Sequence, residues 1–292
     1  MRSEKEMLDL ILNFANDDER IRALILNGSR ANPNAPRDPF QDYDIMYIVS
    51  SVDDFVRDRS WINTFGELIM MQTPDEKVFP PPPDRDNGSF AFLMLFKDGN
   101  RIDLTFYPAN KISDLRLEST SLLLLDKDGM LEPLPPACDK DYIPTPPTEK
   151  EFQDCCNEFW WITTNIAKGL WRRELPYAKF MYDHPARDAL TLMLSWYIGT
   201  QTGFSVDTGK FGKYFEKYLD PKRWKAFVQT FPDGEYDNIW QALFVMCDLF
   251  RETAIEVALH FGFEYPYDED RGVTDYLKRV WALPRDAKSI YE

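Results

Sequence analysis

The chain has 292 residues, 44% hydrophobic and 15% aromatic, which suffices for one large domain or two ordinary ones with a sizeable core. Its formal charge of −15 argues against a nucleic-acid substrate, because a phosphate track needs basic residues, and favours a cationic small molecule drawn in by steering. No apolar run approaches membrane-spanning length, the N-terminus is polar rather than a signal peptide, and the spacing of Cys138, Cys155, Cys156 and Cys247 matches no zinc motif. A cytoplasmic protein with reduced thiols is expected, with a monomer favoured and neither nucleic acid nor membrane as partner.

Ser3 with Glu6 forms a capping-box pattern and opens a helix through Met7, Leu10, Ile11 and Phe14. Residues 21–26 predict a strand that feeds the small-residue turn Gly28-Ser29. Residues 43–49 predict the next strand and 52–59 a helix, whereas 61–71 fits no single period. Pro80 to Pro83 form a stiff, exposed polyproline loop. Residues 90–107 predict a hairpin turning at Lys97-Asp98-Gly99-Asn100, and Leu122 to Leu125 a short buried strand. The prolines at 133, 135, 136, 144, 146 and 147 mark a boundary that divides 1–145 from 146–292. Beyond it, Thr148 with Glu151 opens a helix carrying Phe152, Cys155, Phe159, Ile162, Ile166 and Leu170 at helical spacing. Further helices are predicted at 187–201, 210–219, 237–261 and 273–282, with Pro185 breaking the chain after His184. The fold class is α+β: an N-terminal domain of mixed sheet and flanking helices, then a C-terminal helical bundle.

The chemistry concentrates near the start. Gly28 lets the backbone approach a phosphate at positive φ, and amide groups of such a turn bind anionic oxygens. Ser29 adds a hydroxyl donor, and Arg30 either holds the loop or pairs with an anion. Asp42 and Asp44, one residue apart on a strand, point to the same face. Two adjacent carboxylates repel unless cations bridge them, and magnesium takes a few carboxylates plus phosphate oxygens and water. Asp103 lies in mid-strand between Ile102 and Leu104, where an uncompensated charge is costly. The three aspartates form a carboxylate centre on adjoining strands, suited to a nucleoside triphosphate and two magnesium ions. Asp103 is placed to ligate one ion, to accept the proton of an attacking hydroxyl, or both. That order of elements predicts nucleotidyl transfer.

The helical half offers groups for a cationic acceptor. Asp154, Glu158 and Trp161 fall at i, i+4 and i+7 and suit a guanidinium or ammonium group; a solvated polar face is the alternative. Asp183 is a further cation-binding candidate beside a helix break. Lys210 and Lys213, after Gly209 and Gly212, are expected either to reach triphosphate oxygens across an interdomain cleft or to serve as surface charge.

Asn27 to Asn32 with Phe40 to Ile45 resembles the aminoglycoside 6-adenylyltransferases, which modify streptomycin. Further similar stretches are Phe65-Gly66 through Gln72, Leu95-Phe96 through Thr105, Leu125 to Asp128, Asp154-Cys155-Cys156-Asn157-Glu158-Phe159-Trp160, Gly209-Lys210 with Lys213, and Tyr265-Pro266 with Asp268. The likeness covers nearly the whole chain. It departs at Asn27, where the family usually has Glu, in the proline-rich 80–88, and in 178–183. It implies a polymerase-beta-like nucleotidyltransferase domain with an appended helical bundle that binds substrate. ATP is implied as co-substrate, magnesium as cofactor, and transfer of AMP to an aminoglycoside hydroxyl as the activity, conferring antibiotic resistance. Two other classes stay open: transfer to another small-molecule or protein hydroxyl, and a non-catalytic relative that only binds a ligand.

Overall fold

A computed structural model describes residues 1–84 and 86–291. It contains two compact units, Met1–Asp141 and Tyr142–Glu292, which divide inside the proline-rich stretch. Arg85, within the segment 80–88, lies outside the described residues.

The first unit begins with α1 (Glu4–Asp17), whose capping box forms as the sequence suggests: the Ser3 hydroxyl accepts from the Glu6 amide, and the Glu6 carboxylate accepts from the Ser3 amide. The helix buries Met7, Ile11 and Ala15. There follow β1 (Ile21–Asn27), a single turn α2 (Gly28–Ala31), β2 (Tyr43–Val49), α3 (Val52–Arg57), β3 (Leu68–Gln72), β4 (Phe90–Phe96), β5 (Arg101–Pro108) and β6 (Leu122–Asp126). The sheet has the order β3-β4-β5-β2-β1-β6. Only the β2–β5 pair is parallel; the other neighbours are antiparallel.

Strand periodicity decides which side chains are buried. Tyr43, Ile45 and Tyr47 of β2 and Ile102, Leu104 and Phe106 of β5 pack into one core with α1, where the Tyr47 hydroxyl donates to the Ile11 carbonyl at 2.9 Å. Period two then turns Asp44 and Asp103 to the opposite face. An aromatic cluster completes the core, with Phe55 stacked on Phe106 at 4.2 Å and Trp61 edge-on to Phe92 at 5.0 Å. The segment 61–71 resolves into a 3-10 turn at Ser60–Phe65 followed by β3. β6 corrects the expectation of a buried strand: it is a sheet edge, paired only with β1, and Leu122 is 40% exposed.

The second unit contains α4 (Glu149–Arg172), α5 (Leu175–Met181), α6 (Arg187–Thr202), α7 (Phe215–Tyr218), α8 (Pro221–Gln229), α9 (Tyr236–Phe261) and α10 (Tyr267–Ala282). Phe159 of α4 stacks on Phe250 of α9 at 3.8 Å in the middle of its core. Buried Asp270 accepts two hydrogen bonds from Arg251, each 2.6 Å, and one from the Tyr265 hydroxyl at 2.9 Å, so its charge is paired.

Pro185 does not break the chain as predicted. It sits in a π turn, Tyr182–Ala186, that joins α5 to α6. The wider turn accommodates a ring that lacks an N–H and would otherwise clash one turn back. The helix predicted at 210–219 is interrupted instead, because Gly209, Phe211 and Gly212 all have positive φ. Only a 3-10 turn at Lys210–Gly212 and the short α7 remain. α10 starts at Tyr267 rather than 273, its acidic first turn following Pro266. α5 and α8, each short and opened by a proline, were not anticipated. No helix among the described residues is long and apolar enough to cross a membrane.

Candidate active site

The centre of the sheet carries a polar row. Parallel register places Asp44 opposite Asp103, and on the other side Asn27 pairs with Asp44. Oxygens of Asp42, Asp44 and Asp103 lie within 4.8 Å of one another. Asn27 is held by Ser121, whose hydroxyl donates to the Asn27 side-chain oxygen at 2.7 Å.

The turn after β1 is built around Asp44. Gly28 has φ +71°, and a Cβ there would overlap the Asp44 carboxylate. Glycine is therefore needed twice, for its backbone conformation and for the space. Ser29 is half-buried, and its hydroxyl has no hydrogen-bond partner among the described residues. Arg30 takes the loop-holding role: its Nε donates to the Asp42 carbonyl at 2.9 Å and its Nη2 to the Gln41 carbonyl at 2.7 Å. Its guanidinium also lies 3.9 Å over the Tyr43 ring. These bonds tie the turn to the start of β2 and fix where Asp42 and Asp44 leave the backbone. The remaining Nη1 of Arg30 lies 3.7 Å from the Glu4 carboxylate, so Arg30 also faces an anion of its own chain.

Arg101 is the neighbour that sequence reasoning missed. Its Nε and Nη2 donate to the two Asp103 oxygens at 2.7 and 2.5 Å, and its Nε lies 3.8 Å from Asp42. The signal was present, since Arg101 and Asp103 are two residues apart on one strand and share a face. Burial of Asp44 pushes its carboxyl up to about 7; the charges of Asp42 and Asp103 add to this, and Arg101 opposes it. Hydrogen bonding to Asp103 in turn raises Arg101. One guanidinium against three clustered carboxylates leaves the group short of positive charge. This donor set fits a divalent cation: hard oxygen ligands, close together, with one carboxylate whose burial and charged neighbours disfavour its ionised form.

The predicted residues of the helical unit do not form one group. Asp154 and Glu158 of α4 line a cavity of about 630 Å³, but Asp154 is also paired with Lys150. Trp161 is outside that wall and 66% exposed, so the three-residue cluster predicted from helical spacing is not assembled there. Its side chain falls on the solvent face, one turn beyond Glu158. Asp183, in the π turn, also lies off the wall and pairs with Lys179 at 3.1 Å. The opposite wall includes Asp188, Leu192 and Trp196 of α6, which the spacing along α4 could not reveal. Lys210 and Lys213 flank the glycine-rich turn, each over an aromatic ring and without a carboxylate partner among the described residues. The buried thiols are inert: burial pushes Cys155 up to about 12 and raises Cys156 and Cys247 further.

Comparison with known proteins gives a consistent picture. The family model described as "Streptomycin adenylyltransferase" matches residues 1–280. An aminoglycoside 6-adenylyltransferase of Bacillus subtilis (strain 168) is 40% identical over 285 residues, covering 96% of this chain and 99% of the relative. One from Campylobacter jejuni is 39% identical over 293 residues, covering 99% and 100%. Among solved structures, an aminoglycoside 6-adenyltransferase from Bacillus subtilis matches with a TM-score of 0.48 at 36% identity, over 97% of this chain and all of that one.

Proposed function

The chain belongs to the streptomycin adenylyltransferase family, and on that premise we propose how its residues carry out the reaction. It is a nucleotidyltransferase that moves AMP from ATP to an aminoglycoside hydroxyl, with loss of pyrophosphate. The observation that carries the assignment of residues is the facing pair Asp44 and Asp103 on parallel strands, with Asp42 beside them and Gly28 packed against Asp44. Family membership disfavours a different acceptor class or a catalytically idle relative.

Asp42, Asp44 and Asp103 would hold magnesium, which, when bound, supplies positive charge to offset that on the triphosphate and on the attacking and leaving oxygens. Gly28 lets the backbone approach the outer phosphates, and the free Ser29 hydroxyl donates to them. Arg30 keeps this turn and Asp42 in place through its Nε and Nη2. Asp103 accepts the proton of the acceptor hydroxyl, whose oxygen bonds to the α-phosphorus as the bond to pyrophosphate breaks. The Arg101 fork orients Asp103 for that transfer while leaving each carboxylate oxygen a second lone pair. Lys210 and Lys213, without a carboxylate partner among the described residues, are offered to a polyanion. Glu158, with Asp154 and Asp183 as weaker candidates already paired to lysines, serves the cationic groups of the acceptor. Three buried, unreactive thiols suit a reducing, cytoplasmic setting, where ATP is at hand.

The test is direct. The purified chain is incubated with ATP, magnesium and a panel of aminoglycosides, and the products are weighed. Streptomycin should gain one adenylyl group, with pyrophosphate released. A product on an unrelated acceptor only, or none, would defeat the reading.

A further inference from the structure

The C-terminal end of α4, the last turns of α10 and the segment 283–291 enclose a separate pocket of about 310 Å³ in the helical unit. α10 packs along α4, and the segment that follows it touches both helices. The Trp171 indole N–H donates to the Leu283 carbonyl at 3.1 Å and pins the start of this segment. A turn in which the Ala287 amide donates to the Pro284 carbonyl at 3.1 Å redirects it. Further on, Ile290 packs against the helical core, and the Tyr291 ring lies 5.0 Å below the Arg279 guanidinium. The segment is thus tied on both sides of Ala287, Lys288 and Ser289, which form one wall of the pocket.

The lining combines apolar and basic groups. Val280 is buried, and Leu283 and Ile290 are half-buried beside it. Trp171 is backed by the Arg285 guanidinium, 5.3 Å from its ring. Lys168, Arg172 and Lys288 bring three cations. Lys168 is engaged, since its Nζ donates to the Asn165 side chain at 3.0 Å and lies 5.6 Å from the Tyr177 ring centre. Arg172 and Lys288 have no hydrogen-bond or ion-pair partner among the described residues. Acidic side chains outnumber basic ones 49 to 34 in this chain, so two cations on one pocket without a carboxylate depart from its general balance. Asp286, in the same segment as Lys288, does not line the pocket and has no ion pair among the described residues.

Cations at a helix C-terminus commonly complement the helix dipole, but that role does not account for this pair. The Gly169 and Leu170 carbonyls of α4 already accept from the Glu174 and Arg173 amides, at 2.8 and 3.0 Å, and Lys288 belongs to no helix. Tyr276 adds a neutral donor whose hydroxyl has no hydrogen-bond partner among the described residues. Burial raises this hydroxyl and the Arg172 charge opposes the rise, which sets the guanidinium near it.

We propose that this pocket binds a small aromatic phosphate ester, its ring against Trp171, Val280 and Ile290 and its phosphate held by Arg172 and Lys288, with the Tyr276 hydroxyl donating to it. Two free cations on opposite walls match a dianion better than a carboxylate, and the apolar part of the lining requires a ring as well as a charge. The volume lies at the small end of the usual span for small-molecule sites, which suits a single fused ring system. The site is independent of the reaction at the sheet.

The test is calorimetry on the full chain with 2-naphthyl phosphate as probe, in chelator, so that the carboxylates of the sheet carry no cation and repel phosphate. The probe should bind once per chain, tighter than about 1 mM. Inorganic phosphate, which lacks the ring, and 2-naphthol, which lacks the charge, should each bind roughly tenfold or more weakly. Arg172→Gln should raise the probe's Kd about tenfold and Lys288→Gln roughly threefold. Ala287→Trp removes no polar group but fills the pocket, and should weaken binding roughly tenfold or more. Lys225→Gln, an exposed cation outside the pocket, should leave Kd unchanged, and melting curves of all four variants should stay near that of the unaltered protein. Unchanged Kd in Arg172→Gln and Ala287→Trp would overturn the proposal. So would inorganic phosphate binding as tightly as the probe, which is attraction to surface charge only, or no binding of the probe at millimolar concentration.

Discussion

Replacing Asp44 by Asn should stabilise the metal-free protein while abolishing turnover. Burial and the charges of Asp42 and Asp103 raise the Asp44 carboxyl from 3.8 to about 7. A carboxyl raised in the folded state binds more protons there than in the unfolded chain between these two values, so stability falls as pH rises through that window. Below 3.8 both states are protonated and the penalty vanishes. Above about 7 both are ionised and the penalty is complete. At about 1.4 kcal/mol per pH unit, the unaltered chain should be less stable than Asp44→Asn by roughly 1–2 kcal/mol at pH 5 and by roughly 4 kcal/mol at pH 8. For a unit of 141 residues that is a difference in Tm of roughly 10 °C at pH 8. The assay is thermal unfolding of both proteins in chelator, followed by circular dichroism from pH 5 to 8. Magnesium added at pH 8 should narrow the difference by stabilising the unaltered chain alone. A difference that stays flat with pH, or an Asp44→Asn protein that melts lower at pH 8, would refute the account of Asp44 as a charge held against its own burial.

Asp42→Asn should lower kcat by two to three orders of magnitude, roughly, with an unchanged far-UV spectrum; appreciable residual turnover would remove Asp42 from the ligand set. Gly28→Ala must place a Cβ on the Asp44 carboxylate at φ +71°, so it should cost roughly 1–3 kcal/mol in denaturant unfolding and raise the KM for ATP. Arg30→Met leaves the Gln41 and Asp42 carbonyls without their donor and should lower stability by about 2 kcal/mol, whereas a purely nucleotide-binding arginine would change the KM for ATP and not the melting curve. Arg101→Gln removes a cation from the carboxylate cluster, so manganese binding read by electron paramagnetic resonance should tighten severalfold, roughly, while kcat falls.

Much of the first unit was legible because local periodicity and burial agree there. Residues 43–47 and 101–106 alternate between buried and part-exposed, which turned Asp44 and Asp103 away from the core. Sequence order could not give the register that sets Asp44 opposite Asp103, because a parallel pair depends on contacts far apart in the chain. Arg101 was harder to read because it opens β5 at the turn and is exposed there, where a basic residue is equally at home as a solvated charge. The second unit was less legible. Glycines at 209 and 212 overrode the apolar pattern of 210–219, and Pro185 was absorbed by a π turn that no helical template contains. Reading Asp154, Glu158 and Trp161 along α4 captured one wall of the cavity and placed Trp161 on it wrongly, because the facing wall depends on how α6 is set by that turn.

On the proposed reading the acidic residues of this chain do two different jobs, and burial separates them. At the sheet, Asp44 is withdrawn from water and surrounded by like charge, so that a single guanidinium from Arg101 leaves it far above its ordinary value. Such a site needs concentrated positive charge, which a divalent ion supplies and an ammonium group does not. In the helical unit, Glu158 and Asp188 remain open to solvent on facing helices, where each pairing is worth about 0–1 kcal/mol. A monovalent cation gains little from either alone, while a molecule carrying several cationic groups on a rigid ring gains from both without a second ordering cost. On that reading, the acidic residues would select a polycation through spacing rather than through net charge. A neutral sugar alcohol of similar size should then fail to compete with streptomycin at any accessible concentration, and competition at millimolar levels would show that shape rather than charge governs the cavity.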